Sequence, residues 1–414
     1  MLRRVVLTGL GAVSACGEGA EALWSAAREG QAVVRQAGFE DENGKPYSAY
    51  RIPDFAAEKY VTQRKSLKVM ARDIQLAVAS SVLAMRDAGV NGGAASEAGR
   101  RGVVVGSGVL NHELDELAQS VSECIAGDGR LDLRKFGEEG IPGLFPLWLL
   151  KYLPNMPACH VSILFDLQGP NNTLTAGTSS GLQAVGEALR IIQRGDADLM
   201  LAGGAESKLN PVGYAEYKGL GLLSSEGSYR PFDQHSRGFA LGEGAAFVVL
   251  EELEHARRRG ARIYAEVAGY GASSGDAREV SLKAALKDSG IAPSDIGHLQ
   301  ASGTGLPSED LAELAAYAEV FFEHPGILPV SCAKPVTGFT GFASGPLELV
   351  VSANVIAEGY VPPIAGLEHP RAVSPVLDLV RQGRPAALRH AMTHVSGING
   401  QSATLVLRRW EDGR

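Results

Sequence analysis

The 414-residue chain is poor in cysteine, with only Cys16, Cys124, Cys159 and Cys332. No CxxC pair occurs, and no histidine spacing suits zinc, so a zinc ribbon or a disulfide framework is excluded. The four read as reduced thiols of a cytosolic protein. A basic stripe is also missing. The net charge is −8, which speaks against a nucleic-acid binder. The run Arg257-Arg258-Arg259 reads instead as the end of a helical stretch before Gly260, where cations suit the helix dipole. No segment is long and apolar enough to span a bilayer. The N-terminus imitates a lipoprotein signal, with Arg3-Arg4, an apolar stretch and Val13-Ser14-Ala15-Cys16. Gly9 and Gly11 break that apolar run, so residues 5–11 read as a strand ending in a glycine turn. Low-complexity linkers are absent too, which argues against domains strung like beads.

What remains is ordinary globular material, 45% hydrophobic and 21% charged. The length suits two domains or one large duplicated fold. The 51 glycines point to many tight turns and close backbone contacts. Short apolar runs bounded by glycine or polar residues read as buried strands at 103–106, 199–204, 246–250 and 402–407. Helical patterns lie between them, at 66–89, 180–194, 277–289 and 308–322. This alternation predicts an α/β fold with sheets covered on both faces. A strand-turn opens each half, near residues 5 and 263, with Glu251 to Gly260 as the crossover. The expected halves are 1–252 and 253–414.

Several motifs then fall in order. Gly169-Pro170-Asn171-Asn172-Thr173 leads to Thr175-Ala176-Gly177-Thr178-Ser179-Ser180-Gly181 and a helix. Gly195-Asp196-Ala197-Asp198 precedes Leu199-Met200-Leu201-Ala202-Gly203-Gly204-Ala205-Glu206. Arg230-Pro231-Phe232-Asp233 and Arg237-Gly238-Phe239-Ala240-Leu241-Gly242-Glu243-Gly244-Ala245 follow. Lys334-Pro335-Val336-Thr337-Gly338 and Ser396-Gly397-Ile398-Asn399-Gly400 close the set. In this order the chain resembles the β-ketoacyl-acyl-carrier-protein synthases of the elongating type, over essentially its whole length. The resemblance implies a thiolase fold, a duplicated five-layer α/β/α/β/α arrangement that forms dimers, without cofactor or metal.

Condensation in that family needs a thiolate to accept the acyl chain, two imidazoles to assist decarboxylation, and an oxyanion hole. The resemblance puts Thr178 at the cysteine position. It puts Ser302, within Ala301-Ser302-Gly303-Thr304, at the first histidine and Phe339 at the second. A hydroxyl is a far poorer nucleophile than a thiol unless a base adjoins it. Neither Ser302 nor Phe339 takes up a proton near neutral pH as an imidazole does. Ile398 stands where the family has a phenylalanine gate, and the stretch from Gly271 to Val280 is shorter than the family's loop. Lys334, Asp310 and Glu313 match family positions; Lys334 and Glu313 are expected to form a buried ion pair.

This pattern of loss, with Ser344-Gly345-Pro346-Leu347-Glu348, resembles the ketosynthase β-subunit, or chain length factor, of type II polyketide synthases. That family often has glutamine where Thr178 stands. The resemblance implies a non-catalytic subunit paired with a catalytic ketosynthase. It would shape the tunnel for a polyketide or polyene chain carried on the phosphopantetheine of an acyl carrier protein. Val109, Leu110, His112, Leu114 and Leu117 are the expected tunnel-lining residues. Two other readings stay open. One is an acyltransferase using Thr178 or Ser302 as nucleophile, with His394 the only histidine to suspect as base. The other is a homodimeric acyl-binding pseudoenzyme.

Overall fold

Strand β1 (Val5–Ser14) is buried at every position, as a strand covered on both faces must be. It belongs to a 12-stranded sheet in a computed structural model that describes residues 2–411 except 42, 62, 91–94, 110–111 and 225–226. The first wing contains β1, β2 (Arg101–Gly106), β3 (Asn171–Leu174), β4 (Leu199–Ser207) and β5 (Glu243–Glu252). Its order is β3-β2-β4-β5-β1. The β3/β2 and β2/β4 pairs are parallel, and β4/β5 and β5/β1 antiparallel.

The second wing repeats this plan with β6 (Ala265–Ser274), β7 (His298–Gln300), β8 (Leu328–Ser331), β10 (His390–Ser396) and β11 (Gln401–Arg409). Its order is β8-β7-β10-β11-β6, again parallel, parallel, antiparallel, antiparallel. One extra strand, β9 (Leu377–Leu379), lies parallel to β8 at the edge. The wings join where Val6 and Leu7 of β1 pair with Glu266 and Ala265 of β6. The shared order and shared directions are the mark of a duplicated fold.

Five layers follow from side-chain alternation, since successive strand residues face opposite ways. Val103 and Val105 of β2 pack outward on Ile74 and Val78 of α1 (Arg72–Asp87). Val104 between them packs inward with Leu182 and Val185 of α2 (Ser180–Arg194). Met392 and Val406 face Leu282 of α3 (Glu279–Ser289) and Leu314 of α4 (Pro307–Val320) on the far outside. Val395 and Leu405 turn back to the middle layer, where α5 (Ser344–Glu358) lies beside α2.

The helix expected at 66–89 is interrupted. Residues Arg64–Val69 form a 3-10 turn, Met70 and Ala71 are extended, and α1 begins at Arg72. The break lets Asp73 turn inward, where its carboxylate accepts the backbone N–H of Ser207 at the end of β4. Apolar periodicity continues across such a break, so the pattern alone does not show it.

The middle layer sits very close to the strands. A Cβ at Gly106 would fall 2.2 Å from the backbone N of Gly181, in the first turn of α2. The atoms it would meet are all main chain and cannot move aside. Gly106→Ala is therefore expected to cost at least the ~1–3 kcal/mol of an overpacked core. Urea unfolding checks this; an unchanged midpoint would refute the close approach.

A candidate acyl-transfer site without an imidazole

Thr178 is held at the N-terminal end of α2 by a small hydrogen-bonded turn. Gly177 takes a left-handed φ of 59°. The Ser180 hydroxyl accepts the Ala176 N–H at 2.7 Å and donates to the Gly177 carbonyl at 2.6 Å. Thr178 is only 7% exposed and lies in the positive field of the helix terminus. Among the described residues, no side chain hydrogen-bonds its hydroxyl. Its main chain packs on Gly397, where a Cβ would be 3.5 Å from the Thr178 nitrogen. That contact brings the C-terminal glycine loop, with half-buried Ile398, against the Thr178 position.

Ser302 enters the same neighbourhood from the other wing. Its hydroxyl donates to the Ser396 carbonyl at 3.2 Å, one residue before Gly397. Phe339 is buried in an aromatic cluster. Its ring stacks on Phe239 with centroids 4.2 Å apart, edge-on to Tyr217 at 5.6 Å. Tyr229 belongs to the same cluster and donates its hydroxyl to the Gly303 carbonyl at 3.0 Å. Thus the segments bearing Thr178, Ser302 and Phe339 are linked through Ser396–Gly397 and through Tyr229. Two hydroxyls and a benzyl ring therefore stand at the three positions.

A buried polar frame lies beneath these residues. Glu313 accepts the backbone N–H groups of Ser302 and Gly303 at 2.6 and 2.9 Å, and the Tyr317 hydroxyl. Asp310 accepts the N–H groups of Phe232, Thr304 and Gly305 at 2.8, 3.0 and 3.0 Å. Burial raises the Asp310 carboxyl to about 7, with the nearby Glu313 charge adding to the rise; burial likewise pushes Glu313 up. These carboxylates fix a loop by its amides.

Lys334 finds a different acidic partner from the one expected. Its ammonium pairs with Glu348 at 3.6 Å, both side chains being 1% exposed, and donates to the Ser302 carbonyl. Glu313 is already taken by two amides and a hydroxyl, so Lys334 reaches it only through its field, which opposes the effect of burial. Glu348 also accepts Gln300 Nε2 at 2.5 Å and the Ala333 N–H at 3.0 Å. Gln300 was not singled out in the sequence, and Glu348 stood there only as the end of the 344–348 motif. Fourteen residues separate Lys334 from Glu348, and only the tertiary fold brings them together. Lys334→Met would strand the buried Glu348 and is expected to cost about 3–5 kcal/mol. Adding Glu348→Gln should restore much of this loss; denaturant unfolding of the single and double variants reads the difference.

His394 does not supply a base. Neighbouring Thr393 bonds Ser352 of the middle layer at 2.7 Å. His394 therefore faces the outer layer, with Nδ1 2.9 Å from Thr404 and its ring edge-on to Tyr317. Burial lowers its pKa from 6.5 to about 3, with Arg278 and Lys334 adding to the effect. The unfolded chain thus binds a proton that the folded chain refuses as pH falls from about 6.5 towards 3, so stability falls over that window. His394→Asn should make the urea midpoint less dependent on pH between 6 and 4. An identical pH dependence in both proteins would contradict this assignment.

Comparison with known proteins agrees with this architecture. Family models described as "Beta-ketoacyl synthase, N-terminal domain" and "Beta-ketoacyl synthase, C-terminal domain" match residues 2–256 and 255–368. The chain belongs to the β-ketoacyl synthase family. It is 34% identical to the 3-oxoacyl-[acyl-carrier-protein] synthase 2 of Coxiella burnetii, over 98% of this chain and 99% of that protein. A β-ketoacyl synthase crystal structure from Burkholderia phymatum superposes with a TM-score of 0.86 at 30% identity, covering 99% of this chain and 100% of that one. The ishigamide ketosynthase/chain length factor superposes with a TM-score of 0.84 at 28% identity, with the same coverage.

On this β-ketoacyl synthase framework the expected tunnel segment is spread over two environments. Val109 and Leu114 are 73% and 49% exposed in the single chain, and Leu117 is half-buried. His112 packs its ring against Trp148 and Tyr152, at centroid distances of 4.9 and 4.4 Å. Its side chain is thus engaged in local packing. Leu110 lies outside the described residues.

Proposed function

We propose that this β-ketoacyl synthase homologue is the non-catalytic, chain-length-factor-like partner of a catalytic ketosynthase. The observation that carries the reading is the composition of the site. Among the described residues no base hydrogen-bonds the Thr178 hydroxyl at the helix terminus, a second hydroxyl is tied to a carbonyl, and a phenyl ring is stacked among aromatics. A base-less threonine leaves negligible condensation chemistry. The curated relatives bear the name of the condensing enzyme, so the fold is suited to bind a carrier-linked acyl chain even where this chain does not react with it.

Two features of the surface support pairing. Strand β3 has a sheet neighbour on one side only, and an unpaired edge is a ready template for another strand. Large apolar side chains also lie exposed along one stretch of sequence, among them Leu133, Ile141, Phe145, Leu149 and Ile163. That much exposed apolar surface fits a protein–protein interface better than solvent. In the mixed dimer this chain would line part of the tunnel for the growing polyketide or polyene, while the partner's cysteine holds the chain.

The test is co-expression with a cysteine-bearing ketosynthase and a carrier protein. A stable mixed dimer should form, and acyl loading should appear by intact mass on the partner alone. A covalent acyl adduct on Thr178 of the isolated chain, or condensation by it at an enzymatic rate, would refute the proposal.

A further inference from the structure

We infer that Phe342 is the stop that sets how far an acyl chain runs into this subunit. The inference rests on the subunit reading above and adds the specificity-determining residue to it.

Phe342 sits in the 3-10 turn Gly341–Ala343 that leads into α5. Its N–H donates to Glu206 Oε2 at 2.7 Å. Its carbonyl is pressed against two glycines: a Cβ at Gly181 or Gly204 would lie 2.3 or 2.4 Å from that oxygen. The backbone is therefore clamped between α2 and β4. The ring reaches across to Gly108, where a Cβ would meet Phe342 Cζ at 2.2 Å and both Cε atoms at 2.9 Å. Any residue but glycine at 108 would collide with the ring.

The position of this residue gives it a function. Its carbonyl lies against Gly181, three residues after Thr178, and its ring lies against Gly108, the neighbour of exposed Val109. Phe342 thus stands between the start of α2, which carries Thr178, and the surface available to a partner. It is not wholly enclosed, as Phe342 remains partly exposed in the single chain. An alkyl or polyenyl chain arriving over Val109 meets an apolar ring whose backbone is fixed and whose tip rests on bare main chain. Overpacking such a contact is costly, so elongation halts there. Removing the ring would free the volume it fills over Gly108 and let the chain advance towards the start of α2.

The test uses the mixed dimer with its carrier protein, malonyl and starter thioesters, and intact-mass reading of carrier-bound products. Phe342→Ala should move the distribution to longer chains by about one or two two-carbon units, and Phe342→Leu by less, following the volume freed. If the alanine variant does not fold, the leucine variant, which keeps most of the packing, carries the comparison. A wild-type pair that elongates normally and gives the same lengths with F342A and F342L overturns the inference alone. A wild-type pair that gives no product, or gives the products of the partner alone, overturns the subunit reading and the inference with it.

Discussion

The whole arrangement depends on how closely the N-terminus of α2 is pressed against the strands. At Gly106 and Gly181 backbone meets backbone with no space for a methyl group. This contact places the start of α2 where the two wings converge, next to the Ser302 segment and the 396–400 loop. It also fixes the field that Thr178 feels. A helix terminus contributes up to ~2 kcal/mol in favourable geometry, a pKa change of about 1.5 units. That is enough to bring a thiol from ~8.5 to near neutrality. It is far too little for an aliphatic hydroxyl, which is closer to water at ~15.7. A field of this size would activate a cysteine at this position and does little to the acidity of a threonine hydroxyl.

The polar frame beneath the site is best understood as architecture. Asp310 and Glu313 spend their oxygens on the amides between Phe232 and Gly305. Lys334 and Glu348 bridge Ser302 to the start of α5. A buried ion pair adds little net stability over an apolar alternative, yet breaking it is expensive. Such a frame can hold a loop in register whether or not the loop carries a reactive side chain.

The strands at 103–106 and 199–204 and the helix at 180–194 were legible in sequence because short apolar runs and a 3.6-residue period are local signals. The break in the helix at Met70 and Ala71 was not, since it is set by Asp73 turning in to meet Ser207, 134 residues away. Lys334 was correctly read as buried, but its partner depended on which carboxylate the fold left free. His394 looked like a spare base near a glycine loop; only strand pairing shows which face it occupies. Phe342 carried no signal at all, because its meaning lies in Gly108, more than 200 residues earlier.

The benzyl ring at 339 deserves comparison with the two histidines buried elsewhere in the same wing. Burial drives both His298 and His394 down to about 3. Phe339 is equally enclosed, stacked on Phe239 and edge-on to Tyr217. An imidazole in that stack would lose solvation as those two have, and would be neutral at pH 7 unless a carboxylate faced it. Glu313 and Glu348 are committed to amides and to Lys334. What Phe339 does at its position is therefore set by packing: it completes an aromatic cluster and takes up no proton.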